Sequence, residues 1–439
     1  MFKRISYKNI ISISFLLLGF FLGISNIVIP IIVSIKSNNV FLSIIGFLIT
    51  SVIFPMLVIF SLSKDKKVKK NILGQIIGKK LSFILFALCH IMVGPLFAIP
   101  RTSIASFEIV FAPFFGNGVA LNIFYNFFYF LFVSVVSYNP KYLLKIIGLI
   151  LNPIKITILI ILCVSSIFIS DKYISSIYPE KIFSNFYQFF YGLLHGYLTM
   201  DILGSMVFGL MIVKSINLCG VKDKKLITKY IIITGTIVSF ILSIIYILLF
   251  KVGIISKFIF PDHEDGLILL NKYIKYMFGD FGHIFFSIAI FITCFSTAVS
   301  LTCSCAEFLK QYFNIKNIYL VIFISIISSL ISNFNLNQLL FIALPVLSII
   351  YPPCITLIIS NLILDNNKIN FLAILAVLIS FFIGFLDSIN LTYYSKYIPI
   401  FINILPFSDF NMRWVLPTFT ILLIGYILKI IKKYKNKNF

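Results

Sequence analysis

Three hydroxyl side chains, Thr293, Ser296 and Thr297, fall at i, i+3 and i+4 within FITCFSTAVSLTCSCAEFL (Phe291–Leu309). On a helix that spacing turns three oxygens to one face. Hard cations prefer oxygen ligands, so the trio is a candidate Na+ site, with Ser300 and Thr302 as alternative donors. A second group is charged. Asp201 interrupts HGYLTMDILGSMVFG (His195–Gly209), and Arg101 and Glu108 lie in GPLFAIPRTSIASFEIVFAPFF (Gly94–Phe115), which also holds Pro95, Pro100 and Pro113. Such groups are costly near hydrocarbon and mark solute or ion paths, gates or proton carriers by default. Each has a plainer structural reading: small residues let helices pack closely, Arg101 reaches interfacial water, and Asp201 caps a half-helix.

These residues need apolar helices to hold them. The chain has 439 residues, 60% hydrophobic and 11% charged. Stretches such as 10–32, 41–62 and 230–250 are each long enough to cross about 30 Å of hydrocarbon as helix. Twelve spans are expected, at roughly 10–32, 40–62, 81–103, 119–138, 146–169, 188–213, 228–250, 282–308, 317–333, 338–363, 371–388 and 414–431. The longest exposed connection reads as 251–281, with Asp262, His263, Glu264 and Asp265 in a solvated turn.

The net charge of +22 is spread along the membrane pattern. Of 36 Lys and Arg, 25 fall at the termini or in alternate connections and 9 in the others, leaving Arg101 and Lys155 within or near spans. That bias places both termini in the cytoplasm and excludes a basic nucleic-acid surface. The apolar run after Lys3, Arg4 and Lys8 is too long for a cleaved signal. Cys303 and Cys305 lack zinc spacing, and His90, His195, His263 and His283 show no metal pattern, so neither a metal cofactor nor an enzyme is expected.

Two spans carry breaks. LGISNIVIP (Leu22–Pro30) sets Gly23, Ser25 and Asn26 at the middle of the first. Gly196, Tyr197, Thr199 and Asp201 interrupt the sixth. Broken helices five spans apart are the mark of an inverted five-plus-five repeat with a midplane site, where half-helix N-termini face a carboxylate. The chain is therefore expected to be an all-α polytopic membrane protein of one transporter domain, residues 1–439. Its first repeat would cover about 10–169 and its second 188–363, with two extra helices at 371–431. Asp387 is expected at the interface, and Pro352 and Pro353 in an irregular tenth span.

GPLFAIPRTSIASFEIVFAPF, GYLTMDILGSMVFG, TAVSLTCSCAEF and LPVLSIIYPPC together resemble the branched-chain amino acid transport system II carriers, along nearly the whole chain. That bacterial symporter family is grouped with the amino acid–polyamine–organocation transporters. The resemblance implies a LeuT-like fold, a plasma-membrane location and import of leucine, isoleucine and valine by cation symport. It places substrate at Gly23, Ser25, Asn26, Tyr197 and Thr199, and the cation at Thr297 beside Ser296 and Thr293. Asp201, Arg101 and Glu108 are left to gating or protons. The implied partners are the amino acid, the bilayer and a coupling ion, Na+ or alternatively H+. One departure is Ile31, where the family has a second proline after Pro30. The alternative function is cation symport of another small solute, an amino acid or a nucleobase.

Overall fold

The computed structural model describes residues 7–64, 74–138, 152–169, 184–218, 221, 223–262, 265–313, 315–364, 370–392 and 405–435. Among them there are helices and no strands. In lipid, backbone N–H and C=O groups must be satisfied within the segment, and an apolar chain does this as helix. In order the longer helices are α1 (Tyr7–Phe21), α2 (Ser25–Ile35), α3 (Val40–Leu48), α4 (Phe54–Lys64), α5 (Lys79–Ile91), α6 (Ala98–Ser106), α7 (Val119–Ser137) and α8 (Asn152–Ser165). The series continues with α9 (Asn185–His195), α10 (Asp201–Leu218), α11 (Lys224–Ile259), α12 (Gly266–Tyr312), α13 (Asn317–Ile331), α14 (Leu336–Ile363), α15 (Phe371–Asn390) and α16 (Val415–Lys435).

Short polar residues start many of these helices. Asn39, Ser184, Asp223, Asp265 and Asn370 each accept a backbone N–H in the first turn, and Asn335 forms a reciprocal box with Gln338. These side chains satisfy donors that a helix start leaves free.

Among the described residues seven helical stretches are each long and apolar enough to cross a membrane, and α1 with α2, bent by 58° at the break, adds an eighth. Shorter apolar helices at 152–168, 317–331 and 415–431, and the interrupted α9–α10, lie on the four remaining expected spans. The third span is longer than 81–103: helix runs over Lys79–Phe115, eased by wide turns at Met92–Leu96 and Phe107–Phe111 and by a non-helical Gly94.

Three expectations are corrected. The 251–281 connection is mostly helix, because α11 continues to Ile259 and α12 begins at Gly266. Its acidic cluster includes the N-cap Asp265, which accepts from Leu267 and Ile268 N–H; His263 and Glu264 lie outside the described residues. Asp387 is buried rather than interfacial: its carboxylate holds both Arg413 Nη1 (2.8 Å) and Arg413 N (3.1 Å). The tenth span stays helical through Pro345, Pro352 and Pro353.

The breaks meet at the centre of the bundle. α2 packs on α11 and on the turn that splits the sixth span, α1 packs on α10, and α14 packs against that same turn. α6 runs along α12, while α15 and α16 pack outside on α14.

Candidate substrate and cation site

At the first break the chain leaves helical pairing for three residues. Gly23 N–H turns back to Phe21 O at 2.8 Å instead of reaching Gly19 O, four residues earlier. Two kinds of group are released. The N–H groups of Ile24 and Ser25 have no acceptor among the described residues, and Gly19 O is freed of its helical donor. α2 then starts with its N–H groups and positive dipole end directed into the break.

The sixth span breaks differently. α9 passes into a 3-10 turn, Gly196–Thr199, and Met200 takes a left-handed conformation (φ 61°) before α10 begins at Asp201. A non-glycine residue in that region is uncommon and is held by its surroundings. The surroundings are on hand, because neighbours take the turn's carbonyls. Thr199 Oγ1 donates to Gly196 O (2.8 Å), Tyr351 Oη to Tyr197 O (2.8 Å) and Arg101 Nη1 to Leu198 O (2.6 Å).

Arg101, 1% exposed, also donates through Nη1 to Ser25 Oγ at 2.8 Å. It therefore straps one break to the other, and its Nε and Nη2 have no partner among the described residues. A second link joins the breaks through Asp201. Asn26 Nδ2 lies 2.8 and 2.9 Å from its two oxygens and 2.6 Å from Tyr246 Oη, and Tyr246 donates to Asp201 Oδ2 at 3.1 Å. A buried carboxylate held by two neutral donors, Asn26 and Tyr246, stands ready to compete for a cationic group.

Gly23, Ser25, Asn26, Thr199, Asp201 and Thr297 surround one cavity of about 50 Å³. Its remaining wall is largely apolar: Val93, Ala98, Met200, Phe208 and Leu301. Phe20 of α1 and Phe208 of α10 stack across one side at 4.6 Å. Ligand pockets commonly reach about 300–1,000 Å³, so a bound solute requires these walls to part.

The other sequence candidates lie elsewhere. Tyr197 turns its ring away from the cavity, stacking on Tyr351 at 4.2 Å and donating to Met412 Sδ at 3.7 Å. Glu108 lines a separate cavity of about 930 Å³ with Asp265, Asn271, Lys272 and His283, where the connections before α7 and α14 gather.

Two members of the hydroxyl trio, Ser296 and Thr297, line a crevice of about 10 Å³ with Gly19. Ser296 Oγ and Thr297 Oγ1 both donate to Thr293 O, at 3.0 and 2.8 Å, so their protons turn into their own helix. The carbonyl released at Gly19, a natural fourth ligand, accepts from Lys155 Nζ at 2.9 Å.

Sequence reasoning did not assign Tyr246, Tyr351, Phe20 or Phe208. They are aromatic side chains in a protein with 50 Phe and 22 Tyr, and nothing local sets them apart. Lys155 did stand out as a lysine within a span, but its partner, 136 residues away, had no signal.

Comparison with known proteins agrees across the chain. A family model described as branched-chain amino acid transport protein matches residues 6–432. The branched-chain amino acid permease BrnQ of Salmonella typhimurium is 35% identical over 433 residues, covering 97% of each chain. The branched-chain amino acid transport system 3 carrier protein of Pseudomonas aeruginosa is 35% identical over 415 residues, 94% of each. Two solved structures share the fold at low identity. Mhp1, a nucleobase-cation-symport-1 family transporter, has a TM-score of 0.60 at 11% identity, covering 98% of this chain and 95% of its own. A Na+-coupled sialic acid symporter has 0.52 at 12%, covering 96% of both. The shared architecture is the LeuT-like five-plus-five fold with its first and sixth spans broken.

Proposed function

The chain belongs to the branched-chain amino acid transport protein family, and from that premise we propose that it imports leucine, isoleucine and valine by cation symport with alternating access. The observation that carries this reading is the cavity shared by the two breaks. It has unpaired amide donors on one side, a carboxylate on another and an apolar remainder. A zwitterion fits that polarity. The substrate carboxylate meets the N–H groups of Ile24 and Ser25, with Arg101 behind them. The ammonium meets Asp201 and the carbonyls that end α1. The aliphatic side chain lies toward Val93, Ala98, Thr102 and Leu301.

An apolar wall separates such side chains weakly, since a methylene is worth only about 1–3 kcal/mol. One site therefore serves all three substrates. Entry of one cation supplies about 2.3 kcal/mol per 100 mV, or roughly a fifty-fold gradient of a neutral solute. The protein lies in the bacterial plasma membrane with both termini in the cytoplasm. The repeats run over about 10–169 and 188–363, and 371–431 are additional helices. On this topology Phe20 and Phe208 close the cytoplasmic side of the cavity.

The test is uptake of radiolabelled leucine into proteoliposomes under an imposed Na+ or pH gradient. Accumulation competed by isoleucine and valine is expected. Stronger competition by alanine, lysine or a nucleobase than by isoleucine would assign the site to another solute.

A further inference from the structure

The cavity between the breaks has part of its room from a missing side chain. Glycine inside a helix costs stability relative to alanine, because it has more backbone freedom to lose on folding. A glycine kept there serves a left-handed turn, a close helix contact, or space. Several glycines of the bundle serve contact. A Cβ on Gly196 would collide with Thr50, one on Gly209 with Leu62, and one on Gly253 with Ser34.

Gly204 of α10 serves neither a turn nor a contact. Its N–H donates to Met200 O at 2.8 Å, as in regular helix, and its φ is not positive. A Cβ built on it would have only the edge of the Phe208 ring nearby, at 3.8 and 3.9 Å, an ordinary van der Waals distance. No neighbour presses on the position, yet it is buried and lines the cavity of about 50 Å³. Gly23, the other glycine on that cavity, has a local reason to lack a side chain, because the chain bends there toward Phe21 O.

The place of Gly204 on its helix gives the space a meaning. It follows Asp201 by three residues and precedes Phe208 by four, so all three share one face of α10. The gap therefore lies between the carboxylate and the Phe20–Phe208 stack. α10 also packs on α5, which ends just before Val93. A solute held at its two charged ends by Asp201 and by the Ile24 and Ser25 N–H groups lays its aliphatic carbons over this gap.

We infer that Gly204 sets the size limit of the solute: its absent Cβ makes room for the carbon that leucine and isoleucine have and valine lacks. The inference rests on the transport reading above and deepens it. A methyl group on this wall occupies the place of that carbon, so the larger pair loses the site while valine still fits. A glycine needed for packing or for hinge motion would behave otherwise, since its substitution would weaken all three solutes together.

Exchange into proteoliposomes preloaded with valine tests this without a coupling gradient. Wild type is expected to take up labelled leucine, isoleucine and valine with similar half-saturation. In Gly204→Ala the half-saturation for leucine and isoleucine should rise about tenfold or more relative to valine, as expected for one methylene in an apolar pocket. Gly204→Ser carries the same Cβ and should shift them the same way. Gly235→Ala adds a methyl to a buried glycine of α11 that lies off the cavity, where the Cβ meets Met56 Sδ at 3.5 Å; it should leave the ratio unchanged. An unchanged leucine-to-valine ratio in both Gly204 variants, or an equal loss of all three solutes, overturns the proposal. Failure of both variants to fold overturns it too, because the gap would then not be free. Wild type that exchanges none of the three overturns the transport reading itself, and the size limit falls with it.

Discussion

The two breaks that form the cavity treat their polar backbone groups in opposite ways. The first exposes donors, the Ile24 and Ser25 N–H groups, and gives one of its released carbonyls, Gly19 O, to Lys155. The sixth exposes almost nothing: Thr199, Tyr351 and Arg101 take the carbonyls of Gly196, Tyr197 and Leu198 in turn. Both breaks rest on the same principle, that irregular backbone survives at membrane depth only when protein or a cavity serves it. The difference shows two ways of meeting it. One break keeps its polar groups for a solute, and the other is tied into the scaffold by side chains of the third and tenth spans. Asp201, at the start of α10, is then the main polar contribution of the sixth span to the cavity.

Removing the strap between the breaks should have the largest effect. Arg101→Ala leaves Leu198 O and Ser25 without their charged donor, and hydrogen bonds to charged groups are worth about 1.5–3 kcal/mol each. Leucine uptake is expected to fall to background in reconstituted vesicles. Arg101→Lys should rescue little, because a point charge on a flexible stem does not reproduce the planar fork. Near-normal uptake by Arg101→Ala would mean that the breaks hold together without it.

Next is Asn26→Ala, which strips Asp201 of its two shortest contacts and leaves Tyr246 alone with the carboxylate. At about 1–3 kcal/mol for an unsatisfied buried group, apparent affinity for leucine should drop by roughly five- to a hundred-fold, read from concentration dependence of uptake. An unchanged half-saturation would place the substrate away from the first break.

The sixth break should respond less to loss of one tie. Tyr351→Phe removes a neutral hydrogen bond from Tyr197 O, a loss of about 1 kcal/mol, and should lower the unfolding temperature in detergent while leaving substrate selectivity intact. A change in the leucine-to-valine preference would show that this break reads the solute after all. The smallest effect is expected for Met412→Leu. It conserves volume and costs under about 1.5 kcal/mol; uptake should remain close to wild type, and a large loss would make the Tyr197–Met412 contact part of the transport cycle.

Much of this arrangement was legible in the chain, and for a physical reason. Glycine, asparagine, aspartate and proline are conspicuous in an apolar helix, so Leu22–Pro30 and His195–Gly209 declared their breaks, and apolar length marked the spans between them. What stayed hidden were pairings between distant helices. Tyr246 is one tyrosine among many, and Asp387 looked interfacial because it lies near the end of its span, with Arg413, its partner, 26 residues away. The helix starting at Gly266 was masked by its own cap: Asp265 and its acidic neighbours have the composition of a loop, though capping residues and loop residues are the same types. The oxygen-bearing face of α12 was read correctly as a face. Its hydroxyls donate back to their own helix, a common habit of Ser and Thr in helices that leaves their oxygen lone pairs free.

The contact between α3 and α9 bears on how such a molecule can change shape. A Cβ built on Gly192 would lie 2.0 Å from Ser43 O, and one on Gly46 2.0 Å from Phe189 O. At these two points main chain rests on main chain, with no side chain between to swing aside or repack. Two rods in that relation have no lubricant, so a tilt of the first half of the sixth span carries the second span with it. The moving part is then thicker than the broken helices themselves. Its slip plane must fall elsewhere, at surfaces where side chains can change partners.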